Sequence, residues 1–236
     1  MRRLSSLTAG LWALSPALAL ASTWEIDPAH STVEFSVRHM MVSTVKGQFQ
    51  KLKGTLQLDD KDVSKSSVEV EIATDSVDTR EPKRDAHLRS PDFFDVTKFP
   101  IMTFKSTKVE KAGKGNVKVT GDLTMHGVTR PVVLMVDGPS TPMKDPFGRT
   151  VRGLTATGRI DRKDWGMTWN KALDTGGVLV SDTVKLEIDA ELAERPTTPA
   201  QTAREKAAGA AEEVTSARKT AAHDKPATPS PVKPGR

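Results

Sequence analysis

The 236-residue chain contains no cysteine and no tyrosine, and aromatic residues make up only 5% of it. The first absence excludes a disulfide framework, a thiol nucleophile, a cysteine-ligated zinc site and an iron–sulfur cluster together. The shortage of aromatics leaves a core built mainly from aliphatic side chains. Long apolar runs are lacking after residue 21, so nothing there reaches the about 20 residues a helix needs to span a bilayer. Gly-x-Ser-x-Gly, phosphate-cradling glycine loops and dinucleotide fingerprints are missing, and no two histidines are spaced His-x-x-x-His. Asp27, His30 and Ser31 supply the residue types of a hydrolase triad, but a triad is defined by geometry, and Asp27-Pro28 reads as a turn entering a strand. No catalytic residue, no metal site and no cofactor is expected.

What the chain has in excess is basic charge, formally +5, and it is unevenly placed. Residues 1–21 combine Arg2 and Arg3, an apolar stretch diluted by Ser and Thr, and Ala19-Leu20-Ala21. That order is the order of a secretory signal, so cleavage after Ala21 and export are expected. Residues 195–236 hold eight Lys or Arg against four Asp or Glu, six prolines and almost no large apolar side chains, the composition of a disordered tail. Residues 22–194 are left with 25 basic and 26 acidic side chains. The folded part is therefore not basic: no nucleic-acid partner is expected, and only the tail is a candidate for weak contact with anionic envelope components.

Between residues 22 and 194 the dominant period is two. Val33, Phe35 and Val37 alternate with Glu34, Ser36 and Arg38; Val68, Val70 and Ile72 alternate with Glu69 and Glu71; Val117, Val119, Leu123 and Met125 share one parity, and so do Val184, Leu186 and Ile188. Strands with one apolar and one wet face make an antiparallel sheet. The exception is Arg80 to Ser90, which predicts a short surface helix capped by Asp78 or Thr79. About eight to ten strands suit a closed barrel or a two-sheet sandwich, and the barrel is preferred because it removes edge strands. The expected fold is thus all-β, a single closed antiparallel barrel of about eight strands with a helix around residues 80–90.

Several strings carry a resemblance. Ile26-Asp27-Pro28-Ala29-His30-Ser31, Val45-Lys46-Gly47-Gln48-Phe49, Arg84-Asp85-Ala86-His87-Leu88, Ser90-Pro91-Asp92-Phe93-Phe94-Asp95, Gly121 to Val132 and Arg162-Lys163-Asp164-Trp165-Gly166 stand in order along the chain. In these the sequence resembles the YceI-like family of exported, lipocalin-like proteins. The resemblance covers Trp24 to Leu192 and does not extend to the tail. It implies an eight-stranded periplasmic barrel that is not an enzyme and holds a polyisoprenoid or another long-chain lipid inside, without transmembrane insertion.

The residues themselves fit that implication. Closing the sheet turns the aliphatic faces inward, where a hydrocarbon chain gains about 0.8 kcal/mol per buried methylene. Candidate interior contacts are Phe35, Val37, His39, Phe49, Val70, Ile72, Phe104, Leu123, Met125 and Leu134. The competing readings are a protein-interaction module of the cell envelope whose barrel is filled by its own side chains, and, behind it, a hydrolase. At one end, Phe93 and Phe94 are a gate or a core plug, and Arg84, His87 and Arg89 on the helix are either head-group contacts or a solvated charged face. His39 has inward parity, as a ligand contact or a satisfied core histidine. His30 and His126 are expected to bond backbone groups, and Trp165 and Trp169 to pack under a loop at one barrel end.

Overall fold

The computed structural model of the protein describes residues 21–113, 115–174 and 176–196. The expected signal segment, apart from Ala21, and the expected tail beyond Pro196 lie outside the described residues. The strands are β1 (Ser22–Ile26), β2 (Thr32–His39), β3 (Ser43–Phe49), β4 (Leu52–Leu58), β5 (Ser67–Ala73), β6 (Val77–Asp78), β7 (Ile101–Gly113), β8 (Asn116–Met125), β9 (Val128–Asp137), β10 (Met143–Lys144), β11 (Thr150–Asp161) and β12 (Thr183–Glu194). Among the described residues one α-helix, α1 (Pro82–Arg89), follows β6.

Every pairing between these strands is antiparallel, and half of them join sequence neighbours. β2 pairs with β3 and β1 with β4, so the first two arms form one long hairpin, interrupted at residues 27–31 on one arm and 50–51 on the other. β6 continues β5 past a 3-10 turn and pairs with β3. With each interrupted arm taken once, eight strands follow one another, and β12 closes the ring by pairing with β11 on one side and with β1 and β2 on the other. The expected barrel is the observed one. Twelve residues of β12 at about 3.3 Å each, tilted by about 40°, give the barrel an axial length of roughly 30 Å.

The alternation read from the sequence sets the two faces. Val33, Phe35 and Val37 turn inward, and their partners on β3 and β12 keep the same parity through Phe35↔Gly47 and Leu186↔Phe35. Outside, Glu69 meets Lys105 at 2.6 Å and Glu71 meets Lys53 at 2.9 Å across neighbouring strands. Exposed pairs of this kind add little stability and keep the outer face wet. Two glycines make room for aromatic rings on the inner face. A Cβ on Gly47 would lie 2.4 Å from the Phe35 ring, and one on Gly121 would lie 2.5 Å from the Phe104 ring and 2.6 Å from the Lys105 carbonyl. Each ring therefore covers the backbone of the adjacent strand.

α1 forms within the expected span but with a different cap. Glu81 is the N-cap, with its carboxylate accepting the Lys83 N–H at 3.2 Å, and Pro82 holds the first helical position. A residue before proline is pushed into the extended region, which places the helix start at Pro82. Asp78 and Thr79 are engaged elsewhere. Asp78 accepts the Arg80 N–H, and the N–H and hydroxyl of Thr79 both donate to the buried carboxylate of Asp85, at 2.8 and 2.5 Å.

The connections divide between two ends. The helix end gathers the β2–β3 turn, α1, the segment 90–100, the β8–β9 turn and the long segment 162–182. The far end gathers the β4–β5 and β7–β8 turns and the β9–β11 connection that carries β10. Arg162 organises the long segment from a buried position. Its guanidinium donates to the carbonyls of Met167, Trp169 and Ser181 and to the Asp182 carboxylate at 2.9 Å.

Candidate functional site

Inside the barrel is a cavity of about 620 Å³ that runs the length of the strands. Its wall takes residues from the helix end, among them His39, Thr79, Lys83, Arg84, Leu179 and Val180, and from the far end, including Val63, Ser66, Ser67, Gly138 and Pro139. Between the ends the lining is aliphatic with a few aromatic rings. That volume lies within the 300–1,000 Å³ usual for small-molecule sites.

The burial pattern shows that the barrel is not filled by its own side chains. Phe35, Val37, Val70, Phe104, Leu123, Leu134, Leu186 and Ile188 face inward and are nonetheless only half-buried, because part of their surface looks onto the cavity. Inward residues nearer the ends, such as Phe49, Ile72, Met102 and Met125, are buried in the core. A wall of this kind offers a chain of methylene or isoprene units continuous apolar contact and strands no hydrogen-bond donor.

All ten interior candidates, from Phe35 to Leu134, line the cavity, His39 included. Of the five residues expected at the mouth, Arg84, His87, Phe93 and Phe94 also line it. Arg89 does not: it sits in the last turn of α1 and donates to the backbone carbonyls of Asp75 and Val77, at 2.8 and 2.5 Å, which holds it against the strand end. Phe93 and Phe94 are buried core residues rather than a free gate. Phe94 meets Phe49 edge-on at 5.4 Å between centroids, and Phe93 packs on His87 at 5.0 Å and on Trp169 at 5.4 Å. They close one side of the helix end.

Polar groups cluster at that same end. Arg84 reaches back to Thr79, donating from Nε to the hydroxyl at 2.8 Å and from one Nη to the carbonyl at 2.9 Å. His87 is set by Asp92 at 2.9 Å and by the ring of Trp169 at 4.7 Å. Lys83 and Glu81 stand beside them on the cavity rim. Alternation could not have located Met167, Trp169, Leu179 or Val180 in the wall, because the segment that carries them has no regular period; its one legible sign was the Arg162 to Gly166 string.

The two remaining histidines of the described residues divide. His126 makes the expected backbone contact, Nδ1 to the Trp165 carbonyl at 3.0 Å, while the Trp165 indole N–H donates to the Leu123 carbonyl, so the fully buried Trp165 packs under its loop as expected. The His30 imidazole bonds a carboxylate instead of the expected backbone group. Its Nδ1 lies 3.3 Å from Asp27 Oδ2 and 3.8 Å from Glu191 Oε1, a group of metal-ligand types that sequence spacing did not reveal. Arg149 occupies the same Asp27 oxygen at 3.2 Å, an ion pair that ties the β1–β2 turn to the loop before β11. The Ala29 N–H, followed by His30 and Arg149, holds the Asp27 carboxyl below the usual carboxylate range against the opposing effect of burial. Among the described residues no helix is long and apolar enough to cross a membrane.

Comparison with known proteins places the chain. A model of the YceI-like domain matches residues 24–192. A UPF0312 protein of Vibrio cholerae is 39% identical over 154 residues, covering 64% of this chain and 81% of the relative. A UPF0312 protein of Staphylococcus aureus is 36% identical over 170 residues, covering 72% and 96%. Among solved structures, the Campylobacter jejuni YCEI protein is 31% identical with a TM-score of 0.58, covering 67% of this chain and 90% of that one. Burkholderia cenocepacia BcnA, at 23% identity and a TM-score of 0.60 over 70% of this chain and 98% of that one, shares the fold. So does a polyisoprenoid binding domain from Saccharophagus degradans, at 16% identity and a TM-score of 0.51, covering 74% of this chain and 99% of that one. With the family model covering the whole barrel from Trp24 to Leu192, the chain belongs to the YceI-like family.

Proposed function

We propose that the protein binds one long-chain amphiphile, a polyisoprenoid or a lipid of similar shape, along the axis of its barrel, and carries or stores it in the periplasm without chemical change. The observation that carries this reading is the set of inward, half-buried aliphatic and aromatic side chains around an open cavity of about 620 Å³. A hydrocarbon tail in that space gains about 0.8 kcal/mol per buried methylene, offset in part by the ordering of the chain. Support also comes from the Saccharophagus degradans domain, which has the same fold and is described as polyisoprenoid binding. The polar end of the ligand belongs at the helix end, where Arg84 and His87 meet the cavity and each is already oriented by a neighbour. The periplasmic location rests on the signal-like order of residues 1–21.

Native mass spectrometry after gentle purification tests the reading. The expected spectrum shows the protein with a discrete lipid mass, or takes one up when a prenyl alcohol is added. Repeated preparations without lipid, together with no uptake of the added alcohol, overturn it.

A further inference from the structure

Two hairpin tips present large apolar side chains to solvent, one at each end of the barrel. At the far end, Met143 and Phe147 are exposed, but Arg149 beside them is paired with the carboxylates of Asp145 and Asp27. The helix end differs. Its β2–β3 turn carries Met40, Met41 and Val42 in succession, 44%, 61% and 80% exposed. Met40 and Met41 have φ of 50° and 62°, the left-handed conformation that tight hairpin turns normally give to Asn or Gly. The turn therefore holds flexible apolar side chains outward at positions suited to small polar ones.

The tip is braced. The Val42 N–H donates to the His39 carbonyl at 3.0 Å and the Met40 N–H to the Leu179 carbonyl at 2.8 Å, which brings exposed Val178 alongside. Arg38 donates to the Met41 carbonyl at 2.8 Å and to the Thr44 hydroxyl at 3.0 Å. Among the described residues Arg38, Arg80, Lys83, Arg84 and Lys171 at this end have no carboxylate partner. Four apolar side chains at the same end as these cations are too few for a stable protein interface of about 800 Å² per partner. They suit shallow insertion between anionic lipid head groups, which the cations then engage.

We infer that the β2–β3 tip docks the protein on an anionic bilayer. Met40, Met41 and Val42 enter the interfacial region, Arg38, Lys83 and Arg84 meet the head groups, and the helix-end mouth of the cavity is set against the lipid phase. The purpose of this contact rests on the lipid-binding reading; its test does not. Because the chain has no cysteine, a Val42→Cys change in the full-length protein gives a single site for an environment-sensitive nitrobenzoxadiazole label, with Met143→Cys labelled as the far-end control.

Phosphatidylcholine vesicles containing about one-third phosphatidylglycerol should shift the Val42 label to the blue and brighten it about twofold or more, with a smaller response to phosphatidylcholine alone and none at Met143. No response at Val42, or an equal one at Met143, overturns the inference. So does a response without vesicles that grows with protein concentration, since that marks contact between copies. Adding Met41→Asn, which keeps a residue suited to positive φ, should raise the vesicle concentration needed by about tenfold. An unchanged requirement also overturns the inference. Loading of a prenyl alcohol from cyclodextrin, with no vesicle present, reports on the cavity separately: its failure removes the lipid-binding reading, and the Val42 signal still decides docking.

Discussion

Gly121 shows how closely the wall is fitted at single residues. Any side chain there meets the Phe104 ring on one side and the Lys105 carbonyl on the other, and the carbonyl belongs to a paired strand that cannot yield. Gly121→Ala should therefore cost about 1–3 kcal/mol and lower the melting temperature, read by thermal unfolding followed by circular dichroism. Asp27 makes a second prediction. Its carboxyl is held below the usual range, chiefly by the Ala29 N–H, so its contribution to stability is complete above about pH 4 and is lost as the pH falls through its native value. Asp27→Asn keeps an oxygen acceptor for Ala29 but removes the charge. The variant should be less stable than the parent at pH 7, and the difference should shrink below about pH 4, measured by urea unfolding at both pH values. The inward parity of Phe35, His39 and Leu123 was legible from the sequence because period two is a local property. The His30 group was not, since Glu191 lies 160 residues away from Ser31, to whose hydroxyl its own N–H donates.

At the scale of elements, α1 was visible as a break in the alternation, and its cap was misplaced because the demands of Asp85 on Thr79 are tertiary. The segment 162–182 was illegible for a related reason: its backbone is held by scattered turn bonds and by the side chains of Arg162 and Asn170 instead of by a ladder. Arg162 is 3% exposed and supplies donors to three carbonyls and one carboxylate. Arg162→Ala should cost about 3 kcal/mol, and hydrogen exchange should quicken in residues 165–182 more than in β7 or β8. Arg162→Lys should rescue little, because an ammonium lacks the planar fork that reaches several acceptors at once. Equal exchange across the barrel in the alanine variant would show that the segment is held by its apolar contacts instead. The interruptions of β1–β2 and β3–β4 are of the same kind; alternation reports which face a residue takes, not where the ladder changes partners.

For the whole molecule, the number of strands followed from the count of alternating runs, and the choice of barrel over sandwich is confirmed by the return of β12 to both β11 and the first hairpin. Whether the interior was open or filled depended on the sizes of facing side chains summed around the ring, which no single strand reveals. An open interior makes the apo protein less stable than its loaded form. A prenyl ligand at about 100 times its dissociation constant should add about 2.7 kcal/mol and raise the melting temperature by several degrees, as read by calorimetry. Leu123→Trp, which fills part of the cavity, should abolish most of that rise without lowering the melting temperature of the ligand-free protein by a similar amount.

The position of β12 also governs the order in which the fold can assemble. This strand, the last among the described residues, pairs with the first two as well as with its predecessor, so the chain must close a loop of roughly 170 residues before the ring is complete. The hairpins β2–β3, β7–β8 and β8–β9 can form early from contacts close in sequence, and ring closure comes last and slowly. Until then the sheet has two unpaired edges and presents its greasy inner face to the surroundings, a state open to pairing with other chains. Refolding from urea should accordingly show fast gain of β-structure followed by a slower phase in which Trp24, buried where β1 meets β12, leaves water.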